Sequence, residues 1–449
     1  MTGGKRGNGH QRRRPVRRPD PRRIGNGDVD AGLTGVAGLV RFGAYLRDLG
    51  VDRELRQTFG HLKRGAGVIY PLGAQMRLLM DLFAVGEHRP FAVESLSSDA
   101  LFAHLAGGTC PSLDTLYRDL ARFDEQSLCA LDSMMAAHGA ALVRACSAKI
   151  VHLDIDTTVT PLFGEHEGGL PGPNPRYHGR ASYHPILARV AETDTILGAE
   201  LRPGDRGFGG DDVGTIEAWI DRCRDAVGPN KLIYVRIDAA ADCTAILQGI
   251  ERRGAFYVVK ARMTGDLCGA VQMTTRWTTV DRDADGKPTR QVAEIDFARN
   301  EWRSAGLKVR AIAVRSKDRP NGKQLFLWEL DDYTVQVFLT NDMTSPVDEL
   351  AHRYNGRAGI EPLIAELKGA YGIGKVPSNG FDANHAALLL KMLVHNLLRR
   401  FVAAVHPALR TWRAPWLRRA LLCVPGRIIR RGRSRVLRMP PRPFFDQRE

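Results

Sequence analysis

The segment from residue 149 to residue 265 constrains the fold most, because strand-forming runs and helical patterns follow one another there in a fixed order. Three strand-forming runs come first and are joined by turns and a Gly/Pro-rich loop. Two further strands then alternate with two helical patterns. The predicted order is βββαβαβ. Strands that form an antiparallel meander and then alternate with helices are typical of an α/β sheet with one mixed edge.

The remaining sequence divides by its periodicity and composition. Helical spacing of apolar residues precedes this segment, β-type runs follow it, and helical patterns then return. Both ends of the chain are rich in arginine. We therefore expect these parts in chain order: a disordered basic arm (1–32), a helical DNA-binding region (33–148), the first part of an α/β core (149–265), an inserted β subdomain (266–345), further core helices (346–405) and an arginine-rich C-terminal tail (406–449).

The basic excess of the chain predicts a polyanionic partner. The sequence has 65 Lys and Arg residues against 50 Asp and Glu residues, a formal net charge of +15. Positive charge gathered at the two ends is typical of proteins that contact nucleic-acid phosphates, while a solubilising tail or an acidic membrane surface is the alternative. No apolar run approaches the ~18 residues of a membrane helix, so we expect no membrane partner. Scattered cysteines without a C-x-x-C pair indicate a reducing cytosol.

Two helical patterns in the N-terminal region have the outline of a helix-turn-helix. The first covers residues 99–105, and the second begins at Ser112, which is a good N-cap residue. On the second helix Thr115, Arg118 and Arg122 would face outward, where they could meet DNA. An ordinary pair of antiparallel helices fits the same pattern.

Acidic residues stand at the ends of two predicted strands. Asp154 and Asp156 lie two apart on the first strand and therefore share one face. Asp238 closes the fourth strand, at the carboxyl edge where α/β sheets hold their sites. Carboxylates on these neighbouring strands would repel each other unless one is protonated or a divalent cation lies between them. Ligands that offer only oxygen favour Mg²⁺ or Mn²⁺ over zinc.

The helical pattern over 346–370 adds a third carboxylate. Its polar residues stand at offsets of 0, 3, 7 and 14, and an α-helix places them within about 60° of one another; they are Tyr354, Arg357, Glu361 and Lys368. A stripe of mixed charge is poor core material, although a solvated charged face is the alternative. Pro362 follows Glu361 and removes a backbone donor, so a kink is expected there.

This stripe resembles the Y-x2-R-x3-E-x6-K signature of DDE transposases from bacterial insertion sequences. Every interval of that signature is matched here. Three shorter stretches resemble the same proteins: L-D-I-D-T-T at 153–158, Y-H-P-I-L-A at 183–188 and A-E-L-R-P-G-D at 199–205. The resemblance covers about residues 150–440 and points to the "insertion sequence four" superfamily, within its "thirteen-eighty" branch.

The resemblance implies a fold and a catalytic triad. The fold is a ribonuclease-H-like catalytic core with a β insertion, preceded by an all-helical N-terminal region. The triad is Asp156, Asp238 and Glu361, which would be both catalytic and metal-binding. Asp154 is the alternate for Asp156, which is favoured because the family's first Asp precedes a Thr. The family's second Asp is followed by a small residue and Gly, whereas Asp238 is followed by two alanines.

The resemblance also implies an activity and its partners. Mg²⁺, with Mn²⁺ as a substitute, would support cleavage at insertion-sequence ends and joining of the 3′-hydroxyl ends to target DNA. Tyr354, Arg357 and Lys368 would contact DNA phosphates. The partners would be duplex DNA with terminal inverted repeats, target DNA and a second copy of the chain. We expect a cytoplasmic, nucleoid-associated enzyme; a DNA-binding regulator or a metal-dependent nuclease with the same core is the alternative.

Overall fold

The computed structural model describes residues 30–174, 178–317, 329–330 and 333–441, and for residues 329–330 it describes the backbone alone. Most of the expected basic arm, residues 1–29, lies outside this part of the chain, as do the last residues of the expected tail, 442–449. None of the described helices has both the length and the apolar character that crossing a membrane requires.

A layer of helices follows the short strand β1 (Leu33–Thr34) and carries its apolar residues on the buried faces. As predicted, the hydroxyl of Ser112 caps one of them by accepting a hydrogen bond from the Thr115 backbone. On that helix Arg118 is exposed and Thr115 is half-buried, whereas Arg122 is exposed but lies two residues beyond the end of the helix. The helices are α1 (Leu39–Asp48), α2 (Val51–Phe59), α3 (Leu72–Val85), α4 (Val93–Leu96), α5 (Ala100–Leu105), α6 (Leu113–Leu120) and α7 (Glu125–Arg144).

The next segment contains the predicted βββαβαβ order and adds three very short strands, which form a small sheet of their own in the order β3-β5-β4. Its elements are β2 (Ile150–Thr157), β3 (Thr160–Pro161), β4 (Leu170–Pro171), β5 (Ala181–Tyr183), β6 (Ile186–Val190), β7 (Thr195–Glu200), α8 (Val213–Val227), β8 (Leu232–Ile237), α9 (Thr244–Arg252) and β9 (Phe256–Lys260). Strand β2 is central, since it pairs antiparallel with β6 and parallel with β8.

A β-rich segment follows, within the range 266–345 in which an inserted β subdomain is expected. Its strands extend the core sheet, which is ten-stranded over the described residues in the order β10-β11-β12-β14-β9-β8-β2-β6-β7, with β13 on β14. Because β14 pairs with β9, it covers an edge that would otherwise expose unpaired backbone groups. Two helices also interrupt this segment, where none was predicted. The elements are α10 (Gly265–Gln272), β10 (Thr278–Arg282), β11 (Pro288–Ile295), α11 (Asn300–Ser304), β12 (Arg310–Ser316), β13 (Glu329–Leu330) and β14 (Tyr333–Thr340).

The last quarter of the fold returns to helices and ends in a hairpin. The single helix predicted over 346–370 is divided by a 3₁₀ turn at Gly356–Gly359. Pro362 lies in the first turn of the second helix, where its missing N–H costs no helical hydrogen bond. The elements are α12 (Val347–Asn355), α13 (Ile360–Ala370), α14 (Phe381–Val405), α15 (Ala414–Leu417), β15 (Gly426–Arg431) and β16 (Ser434–Arg438).

Helix α14 joins the helical layer to the sheet. It is buried along most of its length. The side-chain amide of Asn396 accepts from the backbone N–H of Ile196 on β7 and donates to the carbonyl of the same residue. Gly139 lets α7 pack beside this contact, since a Cβ there would stand 2.7 Å from the Ile196 carbonyl oxygen.

The turn between β14 and α12 is organised by one buried carboxylate. Asp342 accepts hydrogen bonds from the hydroxyl of Tyr234 on β8 and from the backbone N–H groups of Thr344 and Ser345. Burial alone would raise the pKa of the Asp342 carboxyl, but these hydrogen bonds outweigh burial and hold the pKa well below its ordinary 3.8. The turn thereby fixes where α12 starts relative to β8.

We expect Asp342→Ala to lower the free energy of unfolding at pH 7 by about 2–3 kcal/mol, because several donors lose a charged acceptor. A carboxyl whose folded pKa is depressed stabilises the fold above its unfolded pKa, and this contribution is lost as the pH falls below about 3.8. The difference between wild type and variant should therefore shrink between pH 7 and pH 3 in urea titrations. The exposed Asp348→Asn is the control. A difference that does not change with pH would contradict this account.

Candidate active site

Two carboxylates meet at one edge of the central sheet because β2 and β8 are parallel neighbours. Asp156 stands at the end of β2, and its carboxylate accepts from the backbone N–H of Thr157. Asp238 directly follows β8, and its carboxylate caps a 3₁₀ turn by accepting from the Ala240 N–H. The parallel register of β2 and β8 pairs Asp154 with Arg236, so its continuation places Asp238 beside Asp156. Asp156 is largely buried and Asp238 is half exposed.

A guanidinium reaches both aspartates. One terminal nitrogen of Arg357, Nη2, lies 3.1 Å from Oδ2 of Asp156 and 3.9 Å from Oδ2 of Asp238. Burial is the largest single cause and opposes the charge of Arg357, but Asp156, Tyr354 and Asp238 together outweigh burial and raise the pKa of the guanidinium. The Nε atom of Arg357 is buried and has no hydrogen-bond partner among the described residues. The side chain is therefore held by charge more than by a complete set of hydrogen bonds.

The pKa of Asp156 responds to a third carboxylate, that of Glu361, as well as to Asp238. Burial is the largest cause that raises the pKa of Asp156, and Arg357 opposes it. The negative charges of Asp238 and Glu361 raise it further, so that the pKa of Asp156 reaches about 6. Glu361 lies exposed in the first turn of α13. Asp156, Asp238 and Glu361 thus form one acidic cluster, and Arg357 is its counter-charge.

The donor set of this cluster suits a hard divalent cation, because all three side chains offer carboxylate oxygens. Within the described part of the chain, no three Asp, Glu, His or Cys side chains already converge closely enough to hold a metal ion. At the acidic cluster the guanidinium of Arg357 contacts Asp156 and approaches Asp238.

Asp154, the alternate for Asp156, has a different environment. It is fully buried, and it faces Arg236 on β8 and Arg189 on β6 in register. Arg236 donates to both carboxylate oxygens at 2.6 and 3.0 Å, and Nη1 of Arg189 lies 3.4 Å from Oδ2. Both oxygens of Asp154 are thus engaged by guanidinium groups from the two neighbouring strands.

The two arginines beside Asp154 also support the turn that carries Arg357. Arg236 donates to the carbonyl of Arg353 at the end of α12. A Cβ on Gly356 would stand 2.4 Å from Arg236, and a Cβ on Gly359 would stand 2.9 Å from Arg189. The two glycines therefore let the 3₁₀ turn lie directly on the buried arginines, and this position brings Arg357 to Asp156.

The outer members of the predicted stripe flank the acidic cluster. Tyr354 is nearly buried and stacks on Phe338, with ring centroids 4.1 Å apart. Burial raises the pKa of its hydroxyl to about 12, and the carboxylates of the cluster add to that shift. Lys368 donates from Nζ to the carbonyl of Val159, in the loop that follows β2. Although a 3₁₀ turn interrupts the helix, Arg357 still contacts Asp156, and the charge of Glu361 still acts on Asp156.

Sequence reasoning did not single out Lys260, the last residue of β9. It is half-buried, and its charge interacts with both Asp238 and Arg357. Burial lowers the pKa of the Lys260 ammonium, Asp238 opposes that shift and Arg357 adds to it. Its position in the sequence could have identified Lys260, because it ends β9 and β9 lies next to β8, the strand that Asp238 directly follows.

Comparison with known proteins gives the family. The sequence profile of the family described as "Transposase DDE domain group 1" matches residues 29–444. The chain belongs to this transposase family. It is accordingly an enzyme of DNA cleavage and joining. No curated protein matches the sequence of this transposase.

Solved structures similar to the transposase are distant. A piggyBac transposase in a synaptic complex with hairpin DNA is 12% identical with a TM-score of 0.46, over 86% of this chain and 79% of that one. The Drosophila P element transposase in a strand transfer complex is 14% identical with a TM-score of 0.22, over 48% of this chain and 43% of that one.

Proposed function

We propose that this transposase cuts DNA at the ends of an insertion sequence and joins the freed 3′-hydroxyl ends to target DNA, with Asp156, Asp238 and Glu361 as its catalytic carboxylates. The observation that carries the proposal is the acidic cluster at the carboxyl edge of β2 and β8, where Asp238 and Glu361 raise the pKa of Asp156. A carboxylate with a strongly raised pKa at a sheet edge is a common mark of a catalytic site. Asp154 is not part of the proposal, because Arg236 and Arg189 engage its oxygens.

We further propose that β7-β6-β2-β8-β9 is a ribonuclease-H-like core. The support is its topology, with an antiparallel meander on one side of β2 and the parallel strands β8 and β9 on the other. The matched intervals of Tyr354, Arg357, Glu361 and Lys368 support a place in the "insertion sequence four" superfamily and its "thirteen-eighty" branch.

The three carboxylates would hold divalent cations in this proposal. When bound, Mg²⁺, with Mn²⁺ as a substitute, supplies the charge that activates a water and stabilises the leaving 3′-oxygen. The oxygen-only donor set of Asp156, Asp238 and Glu361 supports that choice of ion. Because like charges raise the pKa of Asp156, added positive charge relieves the repulsion and keeps the carboxylate ionised.

The reaction consists of two displacements at phosphorus. In the first, a water oxygen bonds to the phosphorus, the P–O3′ bond breaks, and the 3′-oxygen becomes a hydroxyl. In the second, that hydroxyl attacks a phosphate of target DNA, a new P–O bond forms, and the target strand is released with its own 3′-hydroxyl. No covalent bond to the protein is required. The protein supplies position and charge, which account for most of the catalysis of phosphoryl transfer.

Arg357, Tyr354 and Lys368 would bind the DNA near the cleaved bond. The forked donors of a guanidinium match two phosphate oxygens, so Arg357 can exchange its aspartates for a phosphate when the cluster gains positive charge. Lys368 presents a compact charge and is anchored at the carbonyl of Val159. Tyr354 has a hydroxyl next to the cluster and a ring fixed by Phe338.

The proposed partners are duplex DNA with terminal inverted repeats, target DNA and a second copy of the chain, met on the DNA of the nucleoid in the cytoplasm. A dimer is expected because two ends must be brought together for joining. Light scattering of the protein with and without end DNA tests this point. Two chains per pair of ends are expected, and a persistent complex of one chain with one end would contradict the dimer.

The proposed reaction is tested by incubating the protein with Mg²⁺ and a duplex that carries the inverted repeats flanking its gene. New 3′-hydroxyl ends are expected at the repeat boundary, and EDTA should prevent them. A duplex with a scrambled repeat is the matched control. Tight binding without cutting would favour the regulator, and equal cutting of the scrambled duplex would favour the nuclease; either outcome overturns the transposition chemistry proposed here.

We expect divalent cations to stabilise the fold through the acidic cluster. At a free Mg²⁺ or Mn²⁺ concentration of 100 times the dissociation constant, the free energy of unfolding should rise by about 2.7 kcal/mol. Thermal unfolding with and without the ion measures this, and Asp156→Asn should abolish most of the increase. An equal increase in Asp156→Asn would show that the ion binds elsewhere.

A further inference from the structure

The arginine-rich segment near the C-terminus is an ordered hairpin rather than a simple tail. Strands β15 and β16 are joined by Gly432 and Arg433, and Gly432 has the left-handed φ of +62° that this tight turn requires. The hairpin pairs with β1 at the other end of the chain, Leu33 opposite Arg427. Its position in the fold is therefore fixed by strand pairing.

Arginines face one another across this hairpin. Arg430 stands opposite Arg435, and Arg427 stands opposite Arg438. Like charges in directly opposed positions destabilise a strand pair. Arg427 is compensated by Asp30, at 2.9 Å. Within the described residues no carboxylate pairs with the other arginines of the hairpin, which are exposed: Arg430, Arg431, Arg433, Arg435 and Arg438.

Apolar contacts hold the hairpin in place against this repulsion. Ile428 packs on the apolar cluster of the helical layer, and Leu437 packs on Ala37 and Val424. The arginines are thus carried by an anchored ribbon, and they lose less conformational freedom on binding than those of a flexible segment would. A merely solubilising role would need neither the anchor nor the opposed arginines.

A groove of about 560 Å³ runs beside the hairpin and continues its positive surface. Arg435 and Leu437 form one wall, and α1, α2 and α3 form the other with Arg47 and Arg56. The acidic residues of the groove, Asp52 and Asp81, are both engaged by Arg77. Asp52 also lies 4.0 Å from Arg47, whereas no ion pair with a carboxylate is seen for Arg56 within the described residues. The groove therefore adds the charge of Arg56 to the charges of the hairpin arginines.

We propose that the β15–β16 hairpin is a DNA-binding ribbon that contacts the phosphates of duplex DNA, apart from the acidic cluster where the strand is cut. The choice of DNA as the polyanion rests on the proposed function. Guanidinium groups bind phosphate oxygens with forked hydrogen bonds, and a two-stranded ribbon is a shape that DNA grooves admit. Such contacts are independent of sequence and position the duplex rather than read it.

The test measures binding in EDTA, where no cleavage takes place, by fluorescence anisotropy of a duplex across a range of salt concentrations. The hairpin variant is Arg430→Thr with Arg431→Thr, because threonine favours strands. Arg430→Lys with Arg431→Lys retains the charges. The matched control is Arg252→Ala with Arg253→Ala, which removes the same charge from arginines already paired with Glu217 and Asp221 on α8.

We expect the threonine variant to bind both repeat-bearing and scrambled duplexes roughly tenfold more weakly, and to lower the slope of log affinity against log salt by about two. Its melting temperature should be unchanged or higher, since the repulsion is relieved. The lysine variant should keep the slope, and the control should bind like wild type. Affinity and slope equal to wild type in the threonine variant, or an equal loss in the control, would overturn the proposal.

A further comparison separates DNA from a membrane surface. Binding of the same variants to vesicles of phosphatidylcholine with phosphatidylserine is measured. Binding to vesicles that depends on the hairpin, without binding to duplex, would overturn the assignment of DNA. The outcome is distinct from that of the cleavage assay. Binding that does not depend on the hairpin refutes this inference alone, whereas a wild type that binds through the hairpin and never cuts refutes the proposed reaction alone.

Discussion

Asp156→Asn is expected to lower the rate of strand cleavage by at least about 10³-fold, or some 4 kcal/mol in the activation free energy, because it removes a central carboxylate of the acidic cluster. The fold should remain intact. Asparagine is nearly isosteric and removes a charge that burial, Asp238 and Glu361 all oppose, so the free energy of unfolding without metal should be unchanged or higher. Single-turnover cleavage and urea unfolding measure the two effects.

Asp238→Asn and Glu361→Gln should reduce cleavage to a similar extent, since each removes one carboxylate of the same cluster. Asp266→Asn is the matched control, because Asp266 is an exposed carboxylate in the first turn of α10. Duplex binding in EDTA should persist in all three cluster variants. Cleavage that survives any one of them within tenfold of wild type would remove that residue from the proposed triad.

Asp154→Ala is expected to act on stability, with a loss of about 3–5 kcal/mol in the free energy of unfolding. The carboxylate is fully buried between Arg236 and Arg189, and its removal leaves guanidinium charge in the core without its partner. Arg189 retains its ion pair with Asp194. The charge that is left without a partner is therefore mainly that of Arg236. Chemical denaturation at pH 7 measures the change.

Asp156→Ala is the matched control for Asp154→Ala, since the two residues share a strand and a face. It should cost far less stability and far more activity. Replacing the pair together, Asp154→Leu with Arg236→Met, should recover much of the lost stability, because no unpaired charge remains on β8. Equal destabilisation by Asp154→Ala and Asp156→Ala would contradict the division of roles between these two aspartates.

Local sequence patterns predicted the elements of the core well. The βββαβαβ order and the Ser112 cap each depend on a few neighbouring residues, and both are confirmed. The positions of Asp156 and Asp238 at strand ends also followed from sequence, because adjacent parallel strands end at the same edge of a sheet. Their catalytic role stays a prediction.

Contacts between distant parts of the chain could not be predicted in this way. The pairing of β14 with β9, which makes the inserted strands part of the core sheet, depends on register between segments that local periodicity does not link. The same holds for Asp154. Its sequence environment resembles that of Asp156, and only the registers of β6 and β8 show that arginines flank it on both sides.

The division of the helix over 346–370 has a local cause in the sequence. Gly356 and Gly359 are poor helix formers, and the structure uses both to bring the 3₁₀ turn against Arg236 and Arg189. Pro362 was the expected point of disruption, yet it is accommodated at the start of α13. The break thus lies at the glycines, directly around Arg357.

The pairing of β1 with β15 determines when one part of the fold can form during synthesis on the ribosome. Leu33 is made early, and its partner Arg427 is made about 390 residues later. At 5–20 residues per second this interval lasts about 20–80 seconds. During that time the first strand has no partner and the backbone of Ala37, which ends hydrogen-bonded to Val424, is unmatched. A nascent chain therefore completes its helical layer only after residues 424–427 have been made, and a product terminated before them would lack the pairing of β1 with β15.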